Sequence, residues 1–233
     1  MRFDILTLFP EMIDRILGES ILGRAQKAGH IAVHCHQIRD FSENKHGHVD
    51  DTPYGGGAGM VMAPGPICRC FDAVLRESDP DARRRVLYLS PRGPLFTQDS
   101  ARGFAQSLDQ LILLCGHYEG VDQRAIDEIG AEEISVGDYV LTGGELPACL
   151  VVDAVSRLLP GVLADPVCYE EESIASGLLE YPQYTRPPVF RGREVPPVLL
   201  SGHHENIRKW REEQALALTR ARRPDLLGKS RES

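Results

Sequence analysis

The chain has no apolar run near the roughly 20 residues needed to span a bilayer. Its start, Met1-Arg2-Phe3-Asp4-Ile5-Leu6, enters a strand pattern without the apolar stretch and cleavage site of a secretory signal. No membrane association and a cytoplasmic location are therefore expected. Cysteine is sparse and forms no framework. The six are Cys35, Cys68, Cys70, Cys115, Cys149 and Cys168; Cys68-Arg69-Cys70 has the wrong spacing for a zinc knuckle, and no second pair follows. Reduced, mostly buried thiols are the expectation. Histidines are scattered too. His34 and His36 share one face of a probable strand, and His46, His48, His203 and His204 fall on loops or a helix start. Surface histidines fit that scatter better than a metal centre. Phosphate cradles are missing as well. Neither Gly-x-x-x-x-Gly-Lys-Ser/Thr nor a post-strand Gly-x-Gly-x-x-Gly occurs, which excludes triphosphates and dinucleotides held in their usual motifs.

What is present is glycine in three concentrated turns. They read Pro53-Tyr54-Gly55-Gly56-Gly57-Ala58-Gly59-Met60, Cys115-Gly116-His117-Tyr118-Glu119-Gly120, and the run from Gly137-Asp138-Tyr139 to Gly143-Gly144-Glu145-Leu146-Pro147. The second and third follow short apolar, strand-like runs. Glycine lets backbone approach a ligand closely, and loops at strand ends are where open α/β sheets bind ligands. A side chain at Gly143 is expected to fill space that such a ligand needs. Any one of these turns alone reads as a tight connection; three, interleaved with Asp, Glu and Tyr, read as a site.

The 233 residues, 42% hydrophobic and 26% charged, can bury a full core as one large domain or one plus a small one. Alternating apolar patterns predict strands over 3–9 and 31–38, and short apolar runs predict strands over 86–89, 111–115 and 133–136. The 111–115 run is wholly apolar, as in a strand covered on both faces. Helices are expected over 11–28, 64–75, from a Thr97 cap to about 108, 122–129 and 147–159. This alternation predicts an α/β fold with a mostly parallel sheet. Residues 163–176 lose periodicity and hold Asp165, Glu170, Glu171 and Glu172, the pattern of a flexible acidic linker. A proline-rich stretch then leads to one helix over about 203–221, with Ser201 placed to cap it and Ile207, Trp210, Gln214 and Leu218 near one face. Residues 181–233 carry 11 Lys+Arg against 6 Asp+Glu, a net of +5, while the whole chain is −8. A basic end on an acidic body suggests a polyanionic partner, although a solvated basic helix end explains the charge equally well.

Taken in order, the motifs resemble the bacterial tRNA (guanine-N1)-methyltransferase family of knotted (SPOUT-class) methyltransferases. The carrying strings are Val49-Asp50-Asp51-Thr52-Pro53-Tyr54-Gly55-Gly56-Gly57, Tyr88-Leu89-Ser90-Pro91, Cys115-Gly116-His117-Tyr118-Glu119-Gly120-Val121-Asp122, Ser135-Val136-Gly137-Asp138-Tyr139-Val140-Leu141-Thr142-Gly143-Gly144-Glu145-Leu146-Pro147, Tyr184-Thr185-Arg186-Pro187 and Val195-Pro196-Pro197-Val198-Leu199-Leu200-Ser201-Gly202. The resemblance implies a deep trefoil knot, S-adenosylmethionine as methyl donor, and transfer to N1 of guanosine 37 of tRNA. It implies a homodimer with each active site at the subunit interface. It divides the chain into a knotted domain over 1–162, a linker over 163–176 and a small basic helical tRNA-binding domain over 177–233. It also implies magnesium, for which the sequence shows no ligand cluster.

The resemblance assigns cofactor contacts to Tyr88, Leu89, Ser90, Pro91, Gly116, Tyr118, Glu119, Ser135, Val136, Gly137, Asp138, Tyr139, Val140, Leu141, Gly143, Gly144 and Pro147. Glu172 matches the family's basic aspartate ahead of Gly177-Leu178-Leu179, one methylene longer, and Arg157 is the cation for guanine O6. Guanine N1 is protonated at neutral pH, so a carboxylate must take that proton and a cation must meet the charge that builds at O6. On residues alone, Glu172 reads as a solvated acid, Arg157 as an (i, i+4) partner of Asp153, and Glu119 either as a third catalytic or cofactor contact or as a loop acceptor. Asp50, Arg186, Arg220, Arg222 and Arg223 are the substrate-contact candidates; Asp50 and Asp51 either touch substrate or hold the glycine loop. The chain stops soon after Leu227, where many relatives continue, which implies a trimmed C-terminal domain. Two other readings stay open: a same-fold methyltransferase acting on another RNA nucleotide, and a non-catalytic RNA-binding protein.

Overall fold

The computed structural model describes residues 1–164, 173–174 and 177–228. It divides into two compact units, Met1–Ala164 and Asp165–Ser233. The first unit runs β1 (Arg2–Thr7), α1 (Pro10–Leu17), α2 (Ser20–Lys27), β2 (Ala32–Gln37), the short antiparallel pair β3 (Asp50–Asp51) and β4 (Val61–Met62), α3 (Pro64–Arg76), β5 (Arg84–Leu89), α4 (Gln98–Ser107), β6 (Gln110–Cys115), α5 (Gln123–Glu128), β7 (Glu132–Ile134) and α6 (Glu145–Ser156).

β1, β2, β5, β6 and β7 form one all-parallel sheet in the order β2-β1-β6-β5-β7. β6 is its centre and every residue of it is buried. Because side chains alternate across a strand, Leu111, Leu113 and Cys115 face one core while Ile112 and Leu114 face the other. Residues of α1, α2, α4 and α6 close the first core, and residues of α3 and α5 close the second. β6 enters between β1 and β5, so the C-terminal ends of β6, β5 and β7 stand side by side.

Some boundaries differ from the sequence expectation, each for a local reason. The helix expected over 11–28 breaks at Gly18 into α1 and α2. A Cβ at Gly18 would lie 2.6 Å from the Asp14 carbonyl oxygen and one at Gly23 would lie 2.0 Å from that of Gly18, so the corner is closed to side chains. α6 starts at Glu145, two residues before Pro147, because an N–H in a first turn has no intrahelical partner to lose. His36 is no ordinary surface histidine: its Nε2 lies 2.9 Å from the buried Asp4 carboxylate. Asp4 also accepts two hydrogen bonds from Arg2, both 2.7 Å, and one from Gln110 at 2.8 Å.

In the second unit, β8 (Val189–Phe190) and β9 (Arg193–Glu194) form a hairpin inside the proline-rich stretch. Arg191 and Gly192 turn it with φ of 50° and 76°, the two positive values a tight hairpin turn requires. α7 (Pro197–Leu200) and α8 (His204–Arg222) follow. Ser201 does not cap α8; its Oγ accepts from the His203 N–H, and His203 holds the cap position. The buried residues of α8 are Ala215 and Thr219, with Thr219 Oγ1 accepting from the Leu179 N–H at 2.8 Å.

Candidate active site

Three loops meet at the C-terminal ends of β5, β6 and β7 around a cavity of about 410 Å³. Its wall comprises Tyr88–Arg92, Gly116–Val121, Ile134–Gly137 and Tyr139–Gly144, closed by Val61 and Pro147. The sequence-assigned cofactor residues therefore come together here, with one exception: Asp138 is exposed and lies outside the lining.

Backbone hydrogen bonds lock the loops to one another. The Gly144 N–H reaches the Gly116 carbonyl at 2.9 Å, and the Ser90 N–H reaches that of Ile134 at 3.0 Å. The Glu119 N–H bonds to Met60, and the Met62 N–H to Gly120, so the β3–β4 hairpin is stitched to the second loop. Ser135 Oγ receives the Gly137 N–H, and the Tyr139 hydroxyl donates to the Val136 carbonyl. Tyr118 is held at φ 59°, a left-handed conformation uncommon outside glycine, of the kind that clusters where a site over-determines its backbone. Its hydroxyl lies 3.3 Å from Arg39.

A buried polar chain beneath the loops escaped the sequence reading. Glu145 is 3% exposed. One of its oxygens accepts from Thr7 Oγ1 at 2.7 Å and the other lies 3.2 Å from His117 Nε2. The sequence reading begins this helix at 147 and so leaves Glu145 in the loop before it; the structure puts it in the first turn, where the helix dipole favours an acid. A Cβ at Gly143 would meet His117, 2.3 Å away, and Glu145, 2.5 Å away, so a side chain there collides with this polar chain as well as narrowing the cavity.

The donor set has a definite chemical character. Among the described residues the one arginine in the lining, Arg92, is clamped by both oxygens of Glu133 at 2.9 and 2.8 Å. Glu119 also stands in the wall, and its carboxyl end packs against Gly59, with Oε1 2.5 Å from where a Cβ would sit. Backbone groups, tyrosines and an acidic side chain suit a ligand of neutral or positive charge, not a phosphate. Burial pushes the Cys115 thiol far above its ordinary pKa and raises Tyr88 as well, so neither is an anionic nucleophile. Among the described residues no group of three His, Cys, Asp or Glu converges as a metal site.

Of the remaining candidates in the first unit, neither Arg157 nor Asp50 lines the cavity. Arg157 follows the last turn of α6, whose first turn carries the cavity residue Pro147. Asp50 is half-buried on β3, and Asp51 accepts the Thr52 N–H at 2.7 Å, a loop-holding role. In the second unit Arg186, Arg220 and Arg222 are exposed, and Arg223 is paired with Asp225. Glu172 lies outside the described residues, as does most of the acidic stretch around it. None of the described helices is long and apolar enough to cross a membrane.

The family model described as tRNA (Guanine-1)-methyltransferase TrmD matches residues 1–229. The chain is 56% identical over 230 residues to a curated tRNA (guanine-N(1)-)-methyltransferase of Alkaliphilus oremlandii, covering 97% of this chain and 92% of that one. A relative of the same name from Ruminiclostridium cellulolyticum is 54% identical, with 98% and 97% covered. That of Clostridioides difficile is 52% identical over the full length of both.

Proposed function

Since the chain belongs to the tRNA (guanine-N1)-methyltransferase family, we infer that it methylates N1 of guanosine 37 in tRNA with S-adenosylmethionine as donor. The observation that carries this reading is the single cavity in which the loops after β5, β6 and β7 converge. When bound, the cofactor supplies a methyl group already activated on a sulfonium, so the protein's task is alignment and proton removal. The backbone of residues 135–137 and 116–120 would hold it, and with Arg92 paired to Glu133 the described wall offers no unpaired arginine to repel it. Glu172 is the residue proposed to take the N1 proton, and the Arg157 guanidinium to meet the charge that builds at O6.

The geometry supports a homodimer. α6 is 12 residues long, about 18 Å at 1.5 Å per residue, so Arg157 and the cavity stand at opposite ends of one helix. A second copy is the source of an Arg157 near each cavity. Apolar side chains suited to such an interface are exposed on adjoining helices: Met12 (40%) and Ile16 (42%) on α1, Leu146 (49%) and Leu150 (43%) on α6. The entry of β6 between β1 and β5 is compatible with a trefoil knot. The test is methyl transfer to unmodified tRNA carrying guanosine at 36 and 37. Nucleoside analysis should find 1-methylguanosine at 37; no transfer, or transfer elsewhere, overturns the reading.

A further inference from the structure

The second unit holds a cavity of its own, about 790 Å³, that shares no lining residue with the first. Its floor is apolar, from Leu199 and Ile207, and Tyr181 and Tyr184 stand in its wall. Trp210 packs on both, edge-on to the Tyr181 ring and tilted to that of Tyr184, at centroid distances of 6.4 and 6.3 Å, which braces them. Two guanidinium groups, Arg186 and Arg211, complete the lining. Arg211 lies over the Tyr181 ring at 4.8 Å. One turn earlier on α8, Arg208 is clamped by Glu205 and Glu212; neither Arg186 nor Arg211 meets a carboxylate among the described residues. Just outside, the β8–β9 hairpin grows from the cavity wall and repeats the pairing, with Phe190 62% exposed and Arg191 over its ring at 5.4 Å.

Flat aromatic faces, cations without acidic partners and an apolar floor select a planar, anionic ligand. A purely apolar peptide would leave the guanidiniums unused, and a simple anion would leave the rings unused. Braced rings alternating with arginines are how proteins hold unpaired nucleotides: bases stack on the rings and phosphates meet the cations. We propose that this cavity takes one unstacked nucleotide of the tRNA other than the methyl acceptor, its base against Tyr184 and its phosphate on Arg186 and Arg211. The proposal rests on the tRNA methyltransferase reading and adds a second nucleotide site to it.

The test uses the full-length protein. Tyr184 is half-exposed, so Tyr184→Ala should melt like wild type, with Tyr184→Phe as the control that keeps the ring. Equilibrium filter binding of an unmodified tRNA transcript should weaken about 10-fold for Tyr184→Ala and stay at the wild-type value for Tyr184→Phe. Arg211→Ala should weaken it too and lower the salt slope by about 1. S-adenosylmethionine affinity should be unchanged in all three. With p-benzoylphenylalanine at position 184, illumination should crosslink the protein to RNA. Crosslinking to protein instead, or unaltered tRNA affinity in Tyr184→Ala and Arg211→Ala, overturns the proposal. Methyl transfer by the wild-type protein, assayed in parallel, reports on the function reading separately, because the binding readout needs no turnover.

Discussion

Single buried polar residues carry much of what is distinctive here. Asp4 is fully buried yet ionised: despite desolvation, hydrogen bonds from His36, Arg2 and Gln110 hold its pKa down at about 2, against 3.8 ordinarily. A carboxylate with a lowered folded-state pKa stabilises the protein above its unfolded value and ceases to do so as pH falls from 3.8 toward 2. The contribution is on the order of 2 kcal/mol. Asp4→Asn should therefore lose about that much in urea unfolding at pH 7, and the gap to wild type should narrow as the pH drops below 4. A gap independent of pH would mean the charge is not what stabilises. At the site, a Cβ on Gly137 would sit 2.3 Å from the Tyr139 ring, and Gly143 is closed by His117 and Glu145. Gly143→Val should thus lower the melting temperature along with cofactor affinity; weakened binding at an unchanged melting temperature would restore the simpler space-filling account. For the proposed base, Glu172→Gln should slow single-turnover methylation by about 10²–10⁴-fold with cofactor binding intact. Glu172→Asp should stay active. Wild-type rates in Glu172→Gln would transfer the role to Glu171 or Glu170.

At the scale of elements, α6 holds apart two groups that the proposed mechanism needs together, the cavity and Arg157. Its first turn faces the cavity, and Arg157 follows its last. A complementation experiment follows from this. Arg157→Ala has an intact cavity, Gly137→Val has an intact arginine, and each alone should be nearly inactive. Mixed and allowed to exchange, half of the proposed dimers would be hybrids with one complete site, so about a quarter of wild-type activity should return. If Arg157 serves its own cavity, mixing restores nothing. The glycine loops were legible in the sequence because only glycine tolerates such close approach, and their strings are long. The elements misread were those decided by contact. The α1–α2 corner depends on the Gly18 carbonyl meeting Gly23, and the β8–β9 hairpin hides among prolines that read as irregular chain.

For the whole molecule, charge is divided unevenly along the chain, with 11 Lys+Arg against 6 Asp+Glu in residues 181–233 of a protein of net charge −8. The structure sharpens which cations are free to meet phosphate. Arg223 is engaged by Asp225, whereas Arg220 and Arg222 project from the last turn of α8. Replacing Arg220 and Arg222 by Gln should weaken tRNA binding and reduce the slope of log affinity against log salt by about 2, since two counterions fewer are released. Replacing Arg223 should do less. An unaltered slope in the double variant would move the phosphate contacts elsewhere.

The sequence by itself determined the alternation of strands and helices, the buried central strand, the three loops and the family, because these are written in local periodicity and in uninterrupted strings. Only the tertiary structure decided what lies far apart in sequence and close in space. It brought residue 7 to residue 145, residue 4 to residue 110, and the loops after three strands to one cavity. It also set Arg157 away from that cavity and gave Tyr181, Tyr184 and Arg211 a common pocket. The physical reason is that periodicity reports which face of an element is apolar. Which element covers that face, and which buried polar groups must then find each other, is settled by strand order and packing, and no string of neighbouring residues records either.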